Sequence, residues 1–311
     1  MAVGAGPVLQ VALDFINLQQ ALRCAREAVA GGAQWVEAGT PLIKAEGMAA
    51  VVALREQFPS HTVVADLKIM DAGRIEVEIA AKSGANVVTV LAAASDETIE
   101  ECVQAGENYG AQVQVDLIGC PDPVGRARRA EELGAAIVGV HTAIDEQMVG
   151  ADPLATLRAV REAVSCRLAV AGGINSETAA EVVKAGADIV IVGGAINKAP
   201  DATQAARDIL RAMTTGEAVA TELYKRGGEE HLREMFSKCS AAHVSDAMHR
   251  KGLVPGIYPI QPGMKAVGPV LTVWTYPGDW AKPVEAIDRA QPGAVLFVDV
   301  RGEGPAVWGE E

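Results

Sequence analysis

Short apolar runs alternate with stretches of helical periodicity eight times between residues 8 and 213, and this repeat limits what the chain can fold into. The runs are Val8–Asp14, Trp35–Glu37, Thr62–Asp66, Val87–Leu91, Gln112–Leu117, Ile137–His141, Leu168–Ala171 and Ile189–Val192. Each is nearly continuous in Val, Ile, Leu or Ala rather than alternating, as expected of parallel strands covered on both faces. Between them, segments such as Leu18–Ala30, Gly47–Phe58 and Glu97–Tyr109 place apolar residues three and four apart, the helix period. Several of these segments end at a Gly-Ala step, as at Gly32–Ala33, Gly84–Ala85 and Gly186–Ala187, where glycine suits the turn after a helix. Eight such units in about 210 residues predict an α/β fold, a closed (β/α)8 TIM barrel. An open doubly wound sheet is the competing architecture.

After Met213 the rhythm changes. Thr214–Gly216 reads as the start of a linker, Glu229–Lys238 as a helix, and Val270–Thr275 and Ala294–Val300 as strands among Pro-Gly steps. The expected division is a barrel over residues 1–215 and a linker with a partial α/β domain over 216–311. The chain stops soon after the last strand, so this second domain is expected to be incomplete.

Half of the 311 residues are hydrophobic but only 4% are aromatic, which suits small branched strands under Ala-rich helices. The formal charge of −13 excludes a general affinity for nucleic acid or anionic membranes. It leaves room for a phosphorylated substrate held by backbone N–H groups. Five cysteines, Cys24, Cys102, Cys120, Cys166 and Cys239, form no CxxC pair and suit no zinc site. They read as free thiols in a reducing cytoplasm. No leader-like or membrane-spanning apolar stretch is evident.

Active sites of such barrels lie at the C-terminal ends of the strands. Asp14 ends the first run and Glu37 the second. Asp66, Lys68 and Asp71 follow the third, Asp116 lies near the end of the fifth, and His141 ends the sixth. The last two runs end in Gly172-Gly173 and Gly193-Gly194. Glu37 and Asp66, from adjacent strands, are candidate oxygen ligands for one Mg²⁺. Such an ion would hold neighbouring sugar oxygens and steady an enediolate. Lys68 would supply positive charge where the oxyanion develops, with Asp14 and Asp71 keeping it protonated. His141 suits proton transfer near neutrality. The paired glycines leave backbone N–H groups open to a phosphate. Taken singly, each has a plainer reading: a strand-end Asp caps helices, Gly-Gly makes tight turns, and Asp116 before Gly119 and Pro121 can merely shape a loop. Their convergence on one rim is what points to a site.

The Asp66-x-Lys68-x-x-Asp71 segment resembles the orotidine-5′-monophosphate decarboxylase suprafamily. Three further segments, Glu37-Ala38-Gly39-Thr40-Pro41-Leu42, His141-Thr142-Ala143-Ile144-Asp145-Glu146-Gln147 and Ala171-Gly172-Gly173-Ile174, resemble its 3-hexulose-6-phosphate synthases over about residues 8–213. The resemblance implies Mg²⁺-dependent aldol condensation of formaldehyde with D-ribulose 5-phosphate to D-arabino-3-hexulose 6-phosphate. It also implies a homodimer with active sites at the interface and Asp71 lent to the partner's site. By the same resemblance Glu37 and Asp66 bind Mg²⁺, Lys68 stabilises the enediolate and His141 handles the proton at the reacting carbon. The related 3-keto-L-gulonate-6-phosphate decarboxylases, the alternative reading, carry Arg three positions after the histidine, where this chain has Ile144. The family often has Gly-Arg after the last strand. Here Gly193-Gly194 leaves the phosphate to backbone N–H groups or Lys198.

From about Ser240 the chain resembles the RraA-like fold, through Ala242-His243-Val244-Ser245-Asp246-Ala247-Met248, Gly268-Pro269-Val270 and Pro292-Gly293-Ala294. Aldolase members of that fold need an Arg-Asp pair further on, so no catalysis is assigned to this part. An RraA-like ribonuclease regulator is the non-enzymatic alternative for the chain.

Overall fold

The computed structural model describes residues 6–141, 153–221, 229–252, 254 and 256–301. The eight runs form eight parallel strands: β1 (Val8–Leu13), β2 (Trp35–Ala38), β3 (Thr62–Ile69), β4 (Val87–Leu91), β5 (Gln112–Asp116), β6 (Ile137–His141), β7 (Arg167–Ala171) and β8 (Ile189–Val192). They hydrogen-bond in sequence order, and β1 pairs with β8 from Val8↔Ile189 to Val11↔Val192, closing the barrel. The open-sheet alternative is thereby excluded.

The helices between them are α1 (Leu18–Ala30), α2 (Thr40–Glu46), α3 (Ala49–Gln57), α4 (Gly73–Lys82), α5 (Asp96–Tyr109), α6 (Pro123–Glu132), α7 (Pro153–Ala163), α8 (Ala179–Lys184), α9 (Gly194–Asn197) and α10 (Ala202–Thr215). Local chemistry starts several of them. Asn17, Ser95, Asp122 and Asp201 each accept the backbone N–H of the third residue of the following helix.

Two apolar layers hold the barrel. Leu9, Val11, Leu13, Val63, Val115, Leu168 and Val190 pack outward against helix residues such as Ala25, Leu54 and Ile209. Inside, Val8, Trp35, Val64, Val87, Ile137 and Ile189 fill the end away from the strand C-termini, with the Arg167 guanidinium over the Trp35 ring at 5.0 Å. That plug leaves the opposite mouth for polar groups. All five cysteines are free. Burial pushes the Cys102 thiol up to about 12, so it packs as an inert apolar group.

The chain divides into two compact units, Met1–Tyr224 and Lys225–Glu311. The stretch after Gly216, read from sequence as linker, is bonded to the barrel: the Val219 N–H donates to the Ser176 carbonyl at 2.9 Å. The second unit contains α11 (Glu229–Lys238), α12 (Ala241–Ala247), β9 (Val270–Trp274), α13 (Ala281–Arg289) and β10 (Val295–Asp299). The expectation that the βα rhythm ends is corrected here, because β9 and β10 are parallel and α13 lies between them. Pro283 inside α13 and the Pro-Gly steps on either side hide this helix from a periodicity reading. No helix among the described residues is long and apolar enough to cross a membrane.

Candidate active site

Six consecutive strands each deliver a polar side chain to the C-terminal mouth: Asp14 after β1, Glu37 on β2, Asp66 and Lys68 on β3, Thr89 on β4, Asp116 on β5 and His141 on β6. The two glycine pairs follow β7 and β8 and complete the ring. Every strand-end acid, the lysine and the histidine expected from sequence therefore lie on one rim, apart from Asp71.

Lys68 is the hub. Its Nζ donates to Asp66 Oδ2 at 2.7 Å and Oδ1 at 2.9 Å, and lies 3.5 Å from Asp116 Oδ2. Burial opposes its charge, but these two carboxylates outweigh it and hold the ammonium above the ordinary lysine value. Sequence reading placed Lys68 after the third strand, whereas β3 continues through it to Ile69. Ala65 pairs with Val88 but Ile69 with Val90, so four steps on β3 span two on β4. Lys68 sits in this bulge with φ 51°, a left-handed conformation costly for a residue with a side chain.

Asp66 is fixed from every side. Thr89 Oγ1 donates to its Oδ1 at 2.8 Å and accepts the Lys68 N–H at 3.1 Å. Thr40 Oγ1 lies 2.8 Å from both its Oδ2 and its carbonyl oxygen. Asp116, left open from sequence, ties the site together: its Oδ2 pairs with His141 Nδ1 at 2.9 Å and its Oδ1 accepts the Ile118 N–H at 3.0 Å. Burial works against the Asp116 carboxylate, but the His141 bond and the Lys68 charge hold it below the ordinary range.

Glu37 is buried, and Gln10 Nε2 donates to its Oε2 at 2.6 Å. Burial, then the negative charges of Asp66 and Asp14, push its carboxyl well above the ordinary range. Asp14 is raised too, by partial desolvation at the mouth and then by the Asp66 charge, although much of its surface faces solvent. A Cβ on Gly39 would lie 2.2 Å from Asp14 Oδ1, so only glycine admits this carboxylate against the β2 loop.

One expected contact is corrected. Asp71 does not reach Lys68 within the chain. It is exposed and its Oδ1 accepts the Ala72 N–H at 2.7 Å, because the strand has turned away before α4 begins. Gly172 and Gly173 have φ of 116° and 65°. Gly193 caps α9, and a Cβ on Gly194 would meet open space. Ile144 lies outside the described residues.

Gln10, Thr40 and Thr89 escaped the sequence reading. Gln10 had a signal, a glutamine inside an otherwise apolar strand. Its Oε1 is buried without a partner.

Four carboxylates, Asp14, Glu37, Asp66 and Asp116, face one lysine here. This excess of hard oxygen donors fits a divalent cation, and Mg²⁺ needs only one or two carboxylates because it keeps several waters. Among the described residues no three His, Cys, Asp or Glu side chains form a ready-made cluster. An ion here would keep several waters and take few carboxylates directly.

Residues 7–209 match the family model described as Orotidine 5′-phosphate decarboxylase / HUMPS family, and residues 241–311 the model described as Aldolase/RraA. The 3-hexulose-6-phosphate synthase of Mycobacterium gastri is 42% identical over 205 residues, covering 66% of this chain and 99% of that protein. The crystal structure of 3-hexulose-6-phosphate synthase from Salmonella typhimurium superposes with a TM-score of 0.65 at 38% identity, over 68% of this chain and 100% of that one. The crystal structure of KGPDC from Streptococcus mutans gives 0.62 at 27% identity, over 68% and 98%.

Proposed function

From the premise that this chain belongs to the Orotidine 5′-phosphate decarboxylase / HUMPS family, we propose that its barrel is a 3-hexulose-6-phosphate synthase joining formaldehyde to D-ribulose 5-phosphate. The observation that carries this reading is the Asp66–Lys68–Asp116–His141 chain, one cation between two carboxylates with a histidine at hydrogen-bond distance. The higher identity to named synthases, 38–42%, than to the related KGPDC, 27%, supports the synthase over the decarboxylase.

In this reading His141, oriented by Asp116, removes the proton from C1 of ribulose 5-phosphate. Lys68 steadies the enediolate that results, and Asp66 holds the ammonium in place and charged. C1 then attacks formaldehyde, and the new alkoxide takes up a proton to give hexulose 6-phosphate. Glu37 and Asp66 would hold Mg²⁺, which when bound polarises neighbouring sugar oxygens. The phosphate would rest on the Gly172-Gly173 and Gly193-Gly194 loops. Asp14 adds negative charge beside Lys68. Exposed Met70, Ile75 and Ile79 around Asp71 suit a homodimer in which Asp71 serves the partner's site.

The test is formaldehyde release from hexulose 6-phosphate. Chelation should abolish it and Mg²⁺ restore it. Full activity in excess chelator, or carbon dioxide release from 3-keto-L-gulonate 6-phosphate in its place, would overturn the assignment.

A further inference from the structure

The loop after β7 is unusual in how it is held. Gly172 and Gly173 both have positive φ, so their backbone has little shape preference of its own. Further on, Asn175 Oδ1 accepts the Glu177 and Thr178 N–H groups at 2.9 and 3.2 Å, and Thr178 Oγ1 accepts the Asn175 N–H at 3.1 Å. These bonds shape residues 175–178 but anchor them only to one another.

The anchor comes from beyond the last barrel helix. Val219 N–H donates to the Ser176 carbonyl at 2.9 Å, and Ser176 Oγ donates back to the Val219 carbonyl at 2.7 Å. Thr221 N–H donates to Glu177 Oε1 at 3.0 Å. Ser176 is 4% exposed, and the Val219 side chain packs on the barrel core. Ala220 and Thr221 also line a cleft of about 340 Å³ with Asn175, Ser176 and Ala195, the residue that follows the second glycine pair. The family match ends at residue 209, so this segment lies outside it.

We propose that residues 217–221 form a strap that holds the β7 loop in the shape that receives the substrate phosphate, with Ser176 and Val219 as positioning residues. This rests on the phosphate assignment made above. A segment that orders a binding loop must itself be ordered by the ligand to the same degree, because linkage between two sites is reciprocal.

The test uses the full chain, with Ser176→Ala and Val219→Ala variants and inorganic phosphate as the probe. Hydrogen exchange in wild type should slow in 172–178 and 217–221 together when phosphate binds. Ser176→Ala, which removes the bond to the Val219 carbonyl, should exchange faster in 172–178 when free and bind phosphate about three- to tenfold more weakly, the worth of one neutral hydrogen bond. Val219→Ala keeps both backbone bonds and loses only its packing on the barrel, so it should shift exchange and phosphate binding in the same direction by a smaller factor. The KM for ribulose 5-phosphate should rise by the same factor with kcat within about twofold. A merely structural lesion would instead lower kcat and the melting temperature together. Should Val219→Ala fail to fold, Ser176→Ala decides the matter by itself. If phosphate protects 172–178 in wild type but Ser176→Ala binds it equally well, the strap is wrong and the phosphate assignment survives. If phosphate gives wild type no protection in 172–178, both fall.

Discussion

The two units of this chain use the same element, parallel strands joined by helices, with opposite results. In the barrel β1 buries all six residues, and β2 and β8 bury all four of theirs. In the second unit Val270 and Trp274 of β9 are exposed, and none of β10 is fully buried. Arg301 lies over both the Trp274 and Tyr276 rings, at 4.6 and 4.5 Å, so β9 ends in a surface stack where a barrel strand end faces the mouth. The barrel strand is covered by helices outside and by seven other strands inside, whereas the β9–β10 pair is a two-stranded sheet with α13 packed on it. An apolar run thus encodes a strand in both places, but only closure turns it into core.

The contrast breaks most sharply if chemistry is not confined to the barrel. Lys68→Ala should lower kcat at least about 10³-fold with the fold intact, because the charge acts on the transition state. Trp274→Ala should leave turnover unchanged. Steady-state kinetics with circular dichroism checks both, and appreciable loss of turnover in Trp274→Ala would mean that the second unit takes part.

A smaller effect sharpens the packing side. Leu168→Ala removes a fully buried side chain and should destabilise the barrel by about 2–5 kcal/mol. Val270→Ala, at a residue 61% exposed, should stay within about 0.5 kcal/mol. Denaturant titration that found equal costs would contradict the burial contrast.

The smallest effect concerns charge. Glu37 has its folded value raised, so its contribution to stability is present at low pH and lost as pH rises through that value. Asp116 runs the other way, its folded value being depressed, and loses its contribution only as pH falls. In metal-free protein, Glu37→Gln should therefore raise the barrel's melting temperature by a few degrees at about pH 8, at roughly 2–4 °C per kcal/mol, and change it little at about pH 4. A melting temperature that fell at the higher pH would show that Glu37 is not held against its charge.

Much of this was legible in the sequence because burial leaves a mark on composition. The strands Val87–Leu91, Ile137–His141 and Ile189–Val192 have the same bounds in sequence and structure. Strand-end acids were legible because a (β/α)8 fold gives strand ends a meaning. The β3 bulge was not, since no residue in Ala65-Asp66-Leu67-Lys68-Ile69 is a glycine that would announce positive φ. Asp116 was ambiguous because its importance lies in two long-range partners, Lys68 and His141, 48 and 25 positions away. Thr40 and Thr89 are ordinary helix-start and strand residues until Asp66 is placed between them. The strap was read as linker because it bonds through its own backbone N–H and carbonyl groups, which have no sequence signature.

The left-handed backbone at Lys68 has a consequence for anyone improving this protein. Glycine or asparagine would relieve that conformation but would also leave Asp66 and Asp116 facing each other with no cation between them. The backbone gain and the charge loss oppose each other, so heat resistance is a poor guide to position 68. Work on sturdier variants should keep that lysine fixed and begin elsewhere in the barrel.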